Sequence, residues 1–122
     1  MIGIDTVLIS RIRKAVKSEA FVNRVFTAAE QSYCSGKADP EQSYAGLFCL
    51  KEAAVKAVGL GFGGGIMPED IEVCHYDNGA PKLLFHRAAE SVFEPYTVSA
   101  SISHDGDYAV GIVELLPKAI HR

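Results

Sequence analysis

The sequence predicts a single α+β domain over residues 1–122, and three observations carry that prediction. Residues 2–8 are rich in β-formers, and apolar and polar residues alternate with a period of two at residues 71–75 and 98–104, as in half-buried strands. The stretch from Asp39 to Gly59 has the start and stop signals of one long helix. No repeat, linker or low-complexity tract divides the 122 residues. A chain of 13.1 kDa is expected to expose roughly 6,400 Å² of about 19,000 Å² in its unfolded form, which leaves a modest core that other copies would help to complete.

Ile2 to Leu8 is rich enough in β-formers for a first strand, and from Ile9 the spacing turns helical, with Ile9, Ile12 and Val16 on one side. Asp5 is therefore expected near a strand end. Thr27 and Glu30 form a capping box that opens a short helix, stopped near Gly36. Asp39 is an N-cap and Pro40 a first helical residue, so a helix runs through Ser43 to Val58 and ends at Gly59. The next stretch, Gly59 to Gly65, has five glycines in seven residues, which no regular element survives. Ile71 to His75 and Lys82 to Phe85 read as strands about the Asp77-Asn78-Gly79 turn. A helix at His86 to Phe93 is broken by Pro95. Val98 to Ser103 and Tyr108 to Leu115 form a last hairpin, with Val98, Ala100, Ile102 and His104 on one face.

Composition narrows the function. With 48% hydrophobic and 22% charged residues the chain reads as a soluble globular protein, and its net charge of −3 argues against a nucleic-acid coat protein. No apolar run approaches a membrane span, and the N-terminal charges follow the apolar residues, the reverse of a signal peptide; a cytoplasmic location with no membrane partner is expected. Cys34, Cys49 and Cys74 are odd in number and lack metal-ligand spacing, so reduced structural thiols are expected. The charge is unevenly spread. Residues 11–24 hold Arg11, Arg13, Lys14, Lys17 and Arg24 against Glu19, a local +4 that leaves −7 elsewhere. Such a segment is either a solvated face or a dock for an acidic partner.

Three features could carry chemistry. Glu52 and Lys56 are four apart on one helix face, which by itself is as consistent with an exposed ion pair as with a site. The glycine run beside them could offer backbone N–H groups to phosphate, though it lacks P-loop and Rossmann spacing, and taken alone it reads as a flexible connector. Asp5 and Glu52 would make a hard-oxygen pair suited to Mg²⁺. Ser103, His104 and Asp105 are consecutive and point to alternating sides, so they cannot form a hydrolase triad among themselves.

Together these segments resemble the holo-acyl-carrier-protein synthase family, the small 4′-phosphopantetheinyl transferases. Ile2 to Ile12 is similar to the family's opening G-x-D-h-h-x-h-x-R-h signature, and FCLKEAAVKAVGLG at 48–61 to its F-x-x-K-E-A-x-x-K-A-x-G-x-G helix. Asn78 to Pro81 resembles the G-x-P turn, and Ser99 to Asp105 with Tyr108-Ala109 the closing S-I-S-H strand. The resemblance spans nearly the whole chain and implies a mostly antiparallel sheet packed against a long central helix. It implies transfer of the phosphopantetheine arm of coenzyme A to a serine of acyl carrier protein, with release of adenosine 3′,5′-bisphosphate. It implies Asp5 and Glu52 as Mg²⁺ ligands, and Asp5, Glu52 and Lys56 as catalytic residues, Glu52 being the acceptor of the serine proton. Coenzyme A contacts are implied for Lys56, Gly59, Gly61, Gly63, Pro81 and His104. Carrier-protein docking is implied for Arg11, which makes the surrounding basic segment, with Arg13 and Lys14, the docking patch. A homotrimer with sites at subunit boundaries is also implied. Leu8, Leu47 and Leu60 stand where the family pattern has an acidic residue, an arginine and a threonine, and Leu47 and Leu60 motivate the alternative of a non-catalytic coenzyme A or carrier-protein binding module.

Overall fold

The computed structural model describes residues 1–62 and 64–119. Strand β1 (Ile2–Leu8) leads directly into helix α1 (Ile9–Ala15), followed by α2 (Glu19–Val25), α3 (Ala28–Ser35) and α4 (Pro40–Ala57). A single 3₁₀ turn at Pro68–Asp70 precedes strands β2 (Ile71–His75) and β3 (Pro81–Phe85), then helix α5 (Ala88–Phe93) and strands β4 (Tyr96–Asp105) and β5 (Tyr108–Pro117). The helix starts follow the sequence signals. Thr27 and Glu30 form the reciprocal capping box, and Asp39 accepts the Gln42 N–H at the head of α4. The basic segment departs from expectation. The helix that begins at Ile9 stops at Ala15, and Ser18 caps a second one by accepting the Phe21 N–H.

The strands are antiparallel, as expected, and among the described residues they form two sheets. One has the order β1-β5-β4 and the other pairs β2 with β3. In the larger sheet Asp5 lies opposite Gly111 and His104 opposite Ala109. Helix α4 crosses one face of that sheet from β4 to β1, and two glycines allow the approach. A Cβ on Gly3 would stand 1.9 Å from the Ala53 carbonyl oxygen, and one on Gly111 2.9 Å from the Leu50 nitrogen. No side chain larger than hydrogen fits there. The small residues Ala45, Cys49, Ala53, Ala54 and Ala57 are all buried, as this close contact requires.

A buried ion pair joins α4 to the rest. Lys51 and Glu30 are both 0% exposed and 2.8 Å apart. The Lys51 ammonium also donates to the carbonyls of Pro68 (3.0 Å) and Ile71 (2.6 Å). The Glu30 carboxylate accepts the N–H groups of Thr27 and Val73, each at 2.8 Å. Every polar position of the pair is filled, as burial of two charges demands. Three elements, α3, α4 and β2, are thereby fixed to one another.

The opposite face of the larger sheet lacks cover. Ile2, Ile4, Tyr108, Ile112 and Leu116 alternate with the inward residues and are all more than a third exposed. The accessible surface, 6999 Å², exceeds the roughly 6,400 Å² expected for this mass. Among the described residues no helix is long and apolar enough to cross a membrane.

Candidate active site

The C-terminal half of α4 meets β1 at the edge of the sheet, and there the structure brings together Asp5, Glu52 and Lys56. Asp5 sits in the middle of β1, not near a strand end as the sequence suggested. It reaches the surface because β1 is an edge strand, and with Gly3 and Val7 it points toward α4. Its carboxylate is only 16% exposed. The Lys56 ammonium donates to Asp5 Oδ1 at 2.7 Å and to the Ile4 carbonyl at 3.3 Å. Lys56 therefore pairs with Asp5 across the β1–α4 contact, while the i,i+4 pair with Glu52 that helical spacing allows is not made. The hydrogen bond that Lys56 donates to Asp5 raises the pKa of Lys56 and keeps it cationic.

Glu52 is half-buried beside this pair. Burial and the Asp5 charge push its carboxyl above the ordinary glutamate range, and Lys56 partly offsets the shift. Two carboxylates and one cation thus lie within electrostatic reach of one another, the cation paired with Asp5. This donor set is hard oxygen with more negative than positive charge, which fits Mg²⁺ held by one or two carboxylates and otherwise by water and phosphate. Among the described residues no three His, Cys, Asp or Glu side chains converge, so protein ligands alone do not enclose an ion. Cys49 lies buried beneath the site, its thiol raised to about 12 by burial and by the charges of Asp5 and Glu52. All three cysteines are free.

The remaining sequence candidates lie elsewhere on the chain. Gly59 has φ +74° and closes α4, its N–H bonding to the Lys56 carbonyl while the Leu60 N–H reaches back to Val55. Those two donors are spent on the helix end, so any backbone donors of the glycine loop begin no earlier than Gly61, which is exposed. Gly63 lies outside the described residues. Pro81 opens β3 and lines a groove of about 410 Å³ shared with Tyr76, Phe85, Tyr96 and Val98. His104 contacts the opposite end of α4, with Nε2 3.1 Å from the Gln42 carbonyl. Ten residues of helix separate Gln42 from Glu52, about 15 Å at 1.5 Å per residue. Within one chain His104 does not meet the carboxylates. Arg11, Arg13 and Lys14 are exposed on α1, which buries Ile9 and Ile12.

The residue that sequence reasoning passed over is Lys51. It falls on the apolar stripe of α4, four residues from both Leu47 and Val55, and that placement was the available sign of a buried cation. Leu47, in the position where the family pattern has arginine, is buried in the core.

The sequence model of the 4′-phosphopantetheinyl transferase superfamily matches residues 1–113. A holo-[acyl-carrier-protein] synthase of Geobacter metallireducens is 40% identical over 118 residues, covering 93% of this chain and 94% of the relative. Among solved structures, the Helicobacter pylori holo-[acyl-carrier-protein] synthase in complex with coenzyme A superimposes with a TM-score of 0.85 at 36% identity, covering 95% of this chain and 100% of that one. The Bacillus anthracis holo-(acyl-carrier-protein) synthase, in complex with CoA (3′,5′-ADP), superimposes with a TM-score of 0.80 at 35% identity over 93% of both chains.

Proposed function

The chain belongs to the 4′-phosphopantetheinyl transferase superfamily, and from that premise we propose that this transferase moves the 4′-phosphopantetheine group of coenzyme A to a serine of apo acyl carrier protein. The observation that carries the reading is the Asp5–Lys56 ion pair beside the half-buried Glu52, at one edge of the β1–α4 contact. The serine oxygen bonds to the phosphorus that carries pantetheine, the pyrophosphate P–O bond breaks, and adenosine 3′,5′-bisphosphate leaves. The Bacillus anthracis relative, bound to CoA (3′,5′-ADP), supports this product.

Asp5 and Glu52 would hold Mg²⁺, which when bound offsets charge on the pyrophosphate. Lys56 lies one turn beyond Glu52 and stays protonated, so it can neutralise a phosphate oxygen of the leaving group. Glu52 takes the serine proton. Its raised pKa makes it a better base than an ordinary glutamate.

A homotrimer belongs to the same proposal. His104 packs against α4 at Gln42 and Gly46 and not beside the carboxylates, so a second copy would supply a His104 to this site. The uncovered face of Ile2, Ile4, Ile112 and Leu116 supplies apolar surface for that association. Arg11 and Lys14 on α1 would receive the acidic carrier, with Arg13 beside them.

Mass spectrometry of an apo carrier protein incubated with coenzyme A, Mg²⁺ and this protein tests the reading. A phosphopantetheine-sized gain on the carrier is expected. Coenzyme A binding with no gain would assign the chain instead as a non-catalytic binding module.

A further inference from the structure

The basic side chains of α1 stand in different states. Arg11 and Lys14 are exposed, with no carboxylate of the described residues within salt-bridge distance. Arg13 is already engaged: Nη1 donates to Asp39 Oδ1 at 2.9 Å and Nη2 to Oδ2 at 2.7 Å, with Glu41 3.9 Å away. This is the bidentate fork geometry that a carboxylate on a docking partner would also use. Asp39 is held in place because Oδ1 caps α4 by accepting the Gln42 N–H at 3.3 Å.

The pair is also cheap to open. The side chains of Arg13 and Asp39 are 45% and 37% exposed, and an ion pair in such contact with water contributes little to stability. A carboxylate presented by a partner can therefore replace Asp39. It gains from Arg13 only what it offers beyond the carboxylate it displaces.

We infer that Asp39 is a specificity-determining residue for carrier docking, occupying Arg13 in the free protein and yielding it to a well-placed carboxylate of the acidic partner. This rests on the docking role of α1 in the proposed function. The consequence is selectivity. A diffuse polyanion is attracted by Arg11 and Lys14 alone, whereas a partner with a carboxylate in register with Arg13 recruits a third contact.

Asp39→Asn removes the charge and retains a side-chain oxygen for the Gln42 N–H, so the cap survives. The KM for apo carrier is expected to fall about two- to fivefold at low ionic strength, with the KM for coenzyme A and kcat unchanged. The gain should vanish in 0.5 M salt, where the Debye length is about 4 Å, and should be absent when Arg13→Gln is already present. Adding Glu41→Gln to Asp39→Asn removes the second acceptor and should preserve or enlarge the gain. An unchanged or raised carrier KM in both Asp39 variants overturns the inference, as does an equal gain without Arg13. If the wild type neither binds nor modifies the carrier, the functional reading falls and the inference falls with it. If the wild type modifies the carrier and the Asp39 variants match it, Asp39 alone is wrongly assigned.

Discussion

Lys51 and Glu52 are consecutive on α4 and have opposite fates. Lys51 is 0% exposed, with its ammonium divided among Glu30 and two backbone carbonyls. Glu52, about 100° further round the helix, is half-buried with its carboxyl raised by burial and by Asp5. One charge fastens the scaffold, and the next is left only partly compensated, as the proposed site requires. One step along a helix separates the two environments: every hydrogen-bonding position of Lys51 is filled from within the chain, while Glu52 finds no such set of partners among the described residues.

The largest effect that would break this contrast belongs to Glu52. Glu52→Ala is expected to lower kcat for phosphopantetheine transfer by about 10⁴-fold, since the proposed base and metal ligand are lost together. Its Tm should stay at or above that of the wild type, because no internal bond is lost. Unfolding of Glu52→Ala would mean that this residue, too, belongs to the scaffold.

Lys51→Met tests the other side. It strands the Glu30 carboxylate in the core and is expected to cost about 3–5 kcal/mol in urea unfolding. Lys51→Met with Glu30→Leu should recover much of that loss, because two apolar groups replace the pair. If Lys51→Met instead abolished transfer without altering stability, the division of labour between the two residues would be wrong.

Gly3→Ala couples the two regions at a smaller magnitude. Its Cβ would meet the Ala53 carbonyl oxygen at 1.9 Å, so β1 must move off α4, at a cost of about 1–3 kcal/mol. That movement also draws Asp5 from Glu52 and Lys56. Activity should therefore fall more than the stability change alone accounts for, measured at a temperature where the variant remains folded. Loss of stability with full activity per folded molecule would show that the β1–α4 spacing does not set the site.

What the sequence made legible followed from local rules. The Thr27–Glu30 box, the Asp39 cap and the Gly59 stop are governed by residues within one turn of each other, and each stands where its signal lay. The motif spacing likewise brought out Asp5, Glu52 and Lys56. What stayed hidden depends on long-range pairing. That β1 pairs with β5, leaving Asp5 on an edge strand facing α4, is decided across more than a hundred residues. The Glu30 carboxylate looked complete as a capping-box partner, and nothing within α3 announced that it also receives Lys51 and the Val73 N–H. The separation of His104 from the carboxylates likewise emerges only once α4 is laid across the sheet.

The smallest expected effect concerns pH and sharpens the contrast between site and scaffold carboxylates. Glu72, in β2, accepts the Thr27 hydroxyl at 2.7 Å and lies 3.0 Å from His86 Nε2; the Thr27 bond, with help from His86, lowers its pKa. A carboxyl with a depressed folded pKa contributes stability above its unfolded pKa and loses it as pH falls through the folded value. Glu52 has the opposite sign. Its folded pKa is raised, so its favourable contribution is present below the ordinary glutamate pKa and is lost as pH rises through the folded value. In metal-free protein, Glu52→Gln should therefore raise Tm at pH 7 and leave it nearly unchanged near pH 4, whereas Glu72→Gln should lower Tm at pH 7 with a deficit that shrinks on acidification. Added Mg²⁺ should raise the Tm of the wild type and not that of Glu52→Gln, because only the wild type retains both carboxylates. Parallel pH profiles for the two variants would remove the electrostatic distinction between the site and the frame that holds it.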